Sequence, residues 1–352
     1  MDEQIGTIAE ERPDLSTVSL EVLSYIEYLE AEITQLQKSS AGRKSVRPET
    51  PFEPSEPPTT INIVSISKKG VIKRTPRHLY DRQRRSGMGI FDLDVEEGDR
   101  PGFLVSADES AGIVLITDHA RAFHLAVNKL SASAVRAHGQ PLHELLPLRD
   151  GESLTVAMPD HGGSQVIVVT DRGQLRRYAS QHFGPSMQSG LELFNPRDVG
   201  IPISTCWTSG NMELFIATRL GRAIRFAEKM VPVRGCLGMR VDAEDEIVSV
   251  AAAPADGGIF MATDDGKGTI RLLSGFSANK SPGSGGKTAM KTDALIGAMG
   301  IRAGDDIFII SELGKIIRFK ADEVPAKAGV VQGVNCMALR ADSCVAMTFS
   351  PV

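Results

Sequence analysis

Between Gly70 and Gly89 the chain sets cations beside flexible backbone. Gln83, Arg84 and Arg85 precede two glycines, Gly87 and Gly89, in one seven-residue run. A guanidinium offers forked donors that fit phosphate oxygens. Glycine lets backbone N–H groups approach a phosphate with no Cβ in the way. Lys73 and Arg74 lie just upstream, and basic residues return further on at Arg177, Arg225, Arg271 and Arg318. If these cations share one rim, they suit a polyanionic backbone such as that of duplex DNA. Solvated strand-end charges or internal ion pairs are the competing reading of any one of them. No catalytic residue, metal ligand or cofactor is expected. His138, His143 and the scattered carboxylates form no catalytic constellation, and the stretch Ser281–Thr288 lacks the first glycine of a phosphate-binding P-loop.

The elements that must hold these cations come from a repeat. Ser67, Thr170, Thr218 and Ser311 are each followed three residues later by Gly, at Gly70, Gly173, Gly221 and Gly314. A basic residue stands four positions after each of those glycines. Two copies depart from the pattern. Thr117 to His124 has Ala120 in place of Gly, and Thr263 to Arg271 reads as carrying one extra residue. The turn positions lie 45 to 53 residues apart, a period typical of propellers and arrays. Runs such as Val166–Val169 and Ile307–Ile310 precede the turns. Short unbroken apolar runs bounded by turn signals fit strands covered on both faces, and glycine supplies the positive φ of a tight hairpin turn. Neighbouring blades would provide the cover. The expected fold is all-β, a six-bladed propeller variant.

Charge is segregated along the 352 residues, whose formal net charge is −5. Residues 1–60 hold 5 basic and 12 acidic residues; residues 61–352 hold 34 and 32; residues 61–92 alone hold 8 and 2. Residues 1–15 read as a disordered acidic terminus. Residues 16–38 read as an amphipathic helix, with Val22, Ile26, Leu29, Ile33 and Leu36 on a coiled-coil seam that would support a homodimer or pack on another surface. Five prolines make residues 39–60 a semi-extended linker, and the ring is expected over 61–352. Segment 277–293, rich in Gly, Ser and Lys, reads as a mobile surface loop. Cys206, Cys236, Cys336 and Cys344 show no CxxC pair and read as reduced thiols. The acidic start is unlike a secretory signal, and no apolar run is long enough to span a membrane.

The run Gln83-Arg84-Arg85-Ser86-Gly87-Met88-Gly89 resembles the "gyrase A box", Gln-Arg-Arg-Gly-Gly-Lys-Gly, of the C-terminal domains of DNA gyrase A and topoisomerase IV subunits. Ser86 replaces a glycine and Met88 the lysine. Pro232–Arg240 and Val324–Gly329 are similar to the matching loops of later blades in that family. The resemblance implies a six-bladed β-pinwheel whose blades exchange strands. It also implies non-catalytic wrapping of double-stranded DNA, gyrase or topoisomerase IV subunits as partners, and a cytoplasmic, nucleoid-associated place. Cleavage in such enzymes belongs to a tyrosine on a separate domain. Tyr25, Tyr28, Tyr80 and Tyr178 are not so placed, and the chain reads as free-standing, without that domain. The alternative is a protein-interaction propeller that has lost wrapping, for which the near-neutral ring and altered box speak.

Overall fold

The computed structural model describes residues 56–351 except Lys280, together with Val22 and Ile26. Val22 and Ile26 are helical. The rest of the expected helix and its dimer seam, the terminal arm and the linker to residue 55 lie outside the described residues.

Six hairpins form six sheets. They are Ile61–Ser67 with Val71–Pro76, Gly112–Thr117 with Arg121–Ala126, Gln165–Thr170 with Gln174–Ala179, Glu213–Thr218 with Arg222–Ala227, Gly258–Thr263 with Lys267–Arg271, and Asp306–Ser311 with Lys315–Lys320. Numbered in that order as blades 1 to 6, each hairpin is flanked by an inner strand: Pro101–Asp108, Leu154–Pro159, Pro202–Thr208, Ile247–Ala253, Leu295–Ile301 and Cys344–Ser350. Successive inner strands are neighbours, and that of blade 6 packs on that of blade 1, which closes a ring.

A short edge strand completes each sheet on its outer side. These are Gln140–Pro141 on blade 1, Leu191–Glu192 on blade 2, Cys236–Leu237 on blade 3 and Lys287–Thr288 on blade 4. Ala326–Lys327 and Val334–Asn335 edge blade 5, and Ile90–Phe91 edges blade 6. Every edge strand follows the hairpin of the next blade around the ring. Blades therefore exchange strands, and the segment after the first hairpin closes the circle on the last sheet.

The core is six apolar layers, each between adjacent blades, as strands without a polar face require. The layer between blades 6 and 1 is the smallest, built on Ile63, Tyr80, Leu104, Phe308, Ile310 and Ile316.

Two readings of the repeat change. In blade 5 no residue is inserted. Thr263 takes the register of Thr218, and the partner of Phe260 is Ile270, where Phe215 has Arg225. Arg271 is thus one residue out of phase and points to the opposite face, because side chains alternate along a strand. Segment 277–293 is an exchange segment: its Lys287–Thr288 edges blade 4, and Ala289 and Met290 are buried. No helix follows that strand, so the P-loop likeness has no structural counterpart. Ala120 occupies its turn with φ +53°, taking the left-handed conformation that the other copies give to glycine.

Candidate nucleic-acid interface

The recurring basic positions do not form an outward rim. Lys73, Arg74, Arg271 and Arg318 are buried, and Arg177 and Arg225 are half-buried. Their place in the hairpin explains this. A basic residue seven positions after the Ser/Thr lies opposite the core-forming first strand, and in three copies it reaches the short 3-10 turn of the next blade. Arg74 donates to the Val127 carbonyl and pairs with Glu109. Arg225 donates to the carbonyls of Leu273 and Phe276 at 2.8 Å and pairs with Glu213. Arg318 donates to the carbonyls of Arg77 and Tyr80 and pairs with Asp306. These arginines clamp blade to blade. The phosphate-tracking role expected of them is corrected accordingly, since a guanidinium spent on interior carbonyls is not offered to a duplex. Out of phase, Arg271 bonds only to Gly275 of its own turn and lies against Phe276. Arg177 has no hydrogen-bond or ion-pair partner among the described residues.

Lys73 belongs to a sealed polar cluster at the seam of blades 1 and 6. Its Nζ donates to the Asp92 carboxylate at 2.6 Å and to the Asp92 carbonyl at 2.7 Å. Tyr80 and Ser65 hydroxyls donate to the same carboxylate, each at 2.6 Å. Burial lowers the pKa of Lys73, with Asp92 opposing it, and burial beside Asp92 pushes that of Tyr80 well up.

The box itself runs along blade 6. The Gln83 N–H donates to the Arg318 carbonyl, and the Arg85 guanidinium donates to the carbonyls of Glu323 and Asn335. Ser86 binds the backbone of Asn335 and Cys336. Ser86 takes φ +70°, a conformation better suited to the glycine it replaces. Gly87 bridges to Met337. Arg84 alone among the box cations is exposed and without a partner among the described residues, and Met88 is 52% exposed.

Gly89 has a role that its motif concealed. It immediately precedes an edge strand, and Gly139, Gly190, Gly235, Gly286 and Gly333 do the same on the other edges. A Cβ on Gly89 would stand 2.7 Å from the Ile316 carbonyl oxygen, at φ +71°. It is a docking glycine for the exchanged strand. Gly89→Ala is expected to destabilise the ring by about 1–3 kcal/mol, seen as a lower midpoint in urea unfolding; an unchanged midpoint would contradict this role.

Five exposed cations lie on the exchange segments. Arg84 stands on the edge of blade 6, Arg136 on blade 1, Arg234 on blade 3, Lys287 on blade 4 and Lys327 on blade 5, all exposed. Arg136 sits over the half-exposed Phe91 ring, and Lys287 is held by Ser277. Aligning the segments after each hairpin, rather than the hairpins themselves, would have found this set in the sequence. The side chains at the strand repeat are the ones consumed by packing.

Carboxylates partner the clamps. Burial opposes the charge of Asp306, but hydrogen bonds from Arg82 and Arg318 outweigh it and hold its pKa below the usual range; Glu56, Glu152 and Asp160 are lowered likewise by their partners. Groups with a folded pKa below the unfolded value of about 4 contribute stability above that value and lose it as pH falls. The melting temperature should therefore drop steeply on acidification below about pH 4, in a thermal-denaturation series; a flat profile there would count against these pairs. All four cysteines are free, and burial pushes the thiols of Cys336 and Cys344 up to about 12.

Among the described residues no group of His, Cys, Asp or Glu is placed to hold a metal, and no helix is long and apolar enough to cross a membrane. The family model for the DNA gyrase C-terminal domain, beta-propeller, matches residues 62–100, 213–254 and 305–342. The DNA gyrase A protein of Escherichia coli K12 is 26% identical over 283 residues, which is 77% of this chain and 32% of that protein. The DNA gyrase A protein of Kosmotoga olearia is 27% identical over 304 residues, 81% of this chain and 37% of that protein. The match thus spans about a third of the length of these relatives. A solved DNA gyrase A C-terminal domain superposes with a TM-score of 0.74 at 20% identity, over 82% of this chain and 99% of that one. A topoisomerase IV C-terminal domain gives 0.58 at 19% identity, over 83% and 94%. The ring has the same β-pinwheel fold as those solved domains, the fold that the resemblance of the box and repeats implied.

Proposed function

We propose that this pinwheel binds duplex DNA along its outer edge and bends it without catalysis, as an accessory to a type II topoisomerase. One observation carries the reading: exposed cations stand on the outer edges of five blades, while Arg74, Arg225 and Arg318 are used internally. The DNA gyrase A relatives make a topoisomerase core the natural partner, with the cytoplasmic nucleoid as the place of action. Bending a 20–30 bp site by 40–90° costs on the order of 1–6 kcal/mol, so separate contacts spread around the ring suit the task better than one patch. They touch phosphates, so little sequence readout is expected.

The test is a salt-titrated binding measurement on the full chain, with plasmid topology read after relaxation in its presence. Steeply salt-dependent binding and a shift in linking number support the reading; absent binding overturns it. Met88→Lys restores a cation on an exposed box position and should steepen the log–log salt slope by about 0.9. An unchanged slope would remove position 88 from the DNA path.

A second reading, a protein-docking propeller, is favoured by the exposed apolar side chains Met88, Ile90 and Phe91 beside one another on the edge of blade 6. Salt-insensitive capture of a topoisomerase core protein without DNA bending would favour it.

A further inference from the structure

We infer that the duplex leaves the ring at the edge of blade 2, so that it follows five edges and not six. This rests on the DNA-binding reading above and specifies the path. Each exchange segment runs from the 3-10 turn of one blade to the edge strand it lends to the preceding blade. Five of these segments carry an exposed Arg or Lys, as described. The sixth, residues 183–192, carries neither Arg nor Lys and is fully described. Its exposed side chains are Pro185, Ser186, Gln188, Ser189 and Glu192. The one charge it displays is therefore negative, on the edge strand itself.

The other cations of blade 2 lie off this segment, with Lys129 exposed on the turn after its hairpin. Arg121 in its hairpin is buried, donating to Glu152 at 2.5 Å. The repeat's basic position is His124, which pairs with Asp160 at 2.9 Å and is largely covered. Arg149 approaches Glu192 at 3.7 Å, both of them exposed, so this cation is shared with the local carboxylate. A phosphate backbone following the perimeter thus meets attraction on blades 3, 4, 5, 6 and 1, and then a neutral to acidic edge. Because non-specific DNA affinity comes from neutralised phosphates, the duplex has no reason to remain there.

An added negative charge reports where the backbone runs. Ser189→Asp places one on the blade 2 edge, and Val233→Asp places one beside Arg234 on the blade 3 edge, at a side chain 78% exposed. Both sites are on the surface, so folding should be preserved, and matching melting temperatures check this. The full chain and both variants are titrated with a long linear duplex at fixed salt. Ser189→Asp should bind within about twofold of the unsubstituted chain, and Val233→Asp should lose about tenfold. Equal losses in the two variants overturn the proposed exit, since the backbone would then pass blade 2 as well. Failure of the unsubstituted chain to bind the duplex overturns the DNA-binding reading itself, a result distinct from equal losses.

Discussion

Replacing Asp92 by Ala should cost the ring about 3–5 kcal/mol, the range for removing one partner of a buried ion pair. The carboxylate accepts from Lys73, Tyr80 and Ser65 at once, and both charged side chains of the pair are fully covered. Its loss leaves an ammonium with one carbonyl partner in an apolar surround. The site also lies at the seam where the apolar layer is smallest and where the edge strand Ile90–Phe91 pairs with the last sheet. The Asp92 backbone N–H holds the Gly314 carbonyl just beyond that strand. The effect should therefore be local first. Amide exchange in Lys315–Lys320 should accelerate before that in Gln165–Thr170, alongside a lower urea midpoint. A variant as stable as the original, with uniform exchange, would show that the cluster does not hold the seam. Asp92→Asn keeps some hydrogen-bonding capacity and should lose less.

Converting Arg84, Arg136, Arg234, Lys287 and Lys327 together to Gln should reduce the log–log salt slope of DNA binding by about 4.5, at about 0.9 per phosphate contact. Bending should disappear with it, read as loss of the linking-number shift. Stability should scarcely move, because all five side chains are exposed and surface substitutions usually stay within about 0.5 kcal/mol. Arg318→Gln should do the reverse. It removes the clamp on Asp306 and on two carbonyls of the next blade, lowering stability while the salt slope of whatever remains folded is unchanged. If the quintuple variant binds with the original slope, the outer edge is not the DNA path. The contrast separates cations that build the ring from cations that use it, which share one residue type in the sequence.

That separation marks how far the sequence could be read. The six hairpins were legible, because a turn demanding positive φ and a strand covered on both faces leave local signatures in glycine spacing and unbroken apolar runs. Gly70, Gly173, Gly221 and Gly314 all take positive φ. The box was legible too, as a run of residues. Its use was not: Arg85 is tied to Glu323 and Asn335, more than two hundred residues away, and Gly89 fits against Ile316. The register of blade 5 was misread for a related reason. A one-residue phase difference changes the face a side chain takes, and only the pairing of Phe260 with Ile270 reveals it.

The order of residues by itself determined the number of blades, their all-β character and the supply of cations. Which of those cations face water was decided by the tertiary structure. Strand exchange puts the segment after each hairpin on the rim of a neighbouring sheet, and closing the ring turns Arg74, Arg225 and Arg318 onto the carbonyls of the next blade. Local patterning encodes the conformation of a strand, but burial depends on what arrives from elsewhere in the chain.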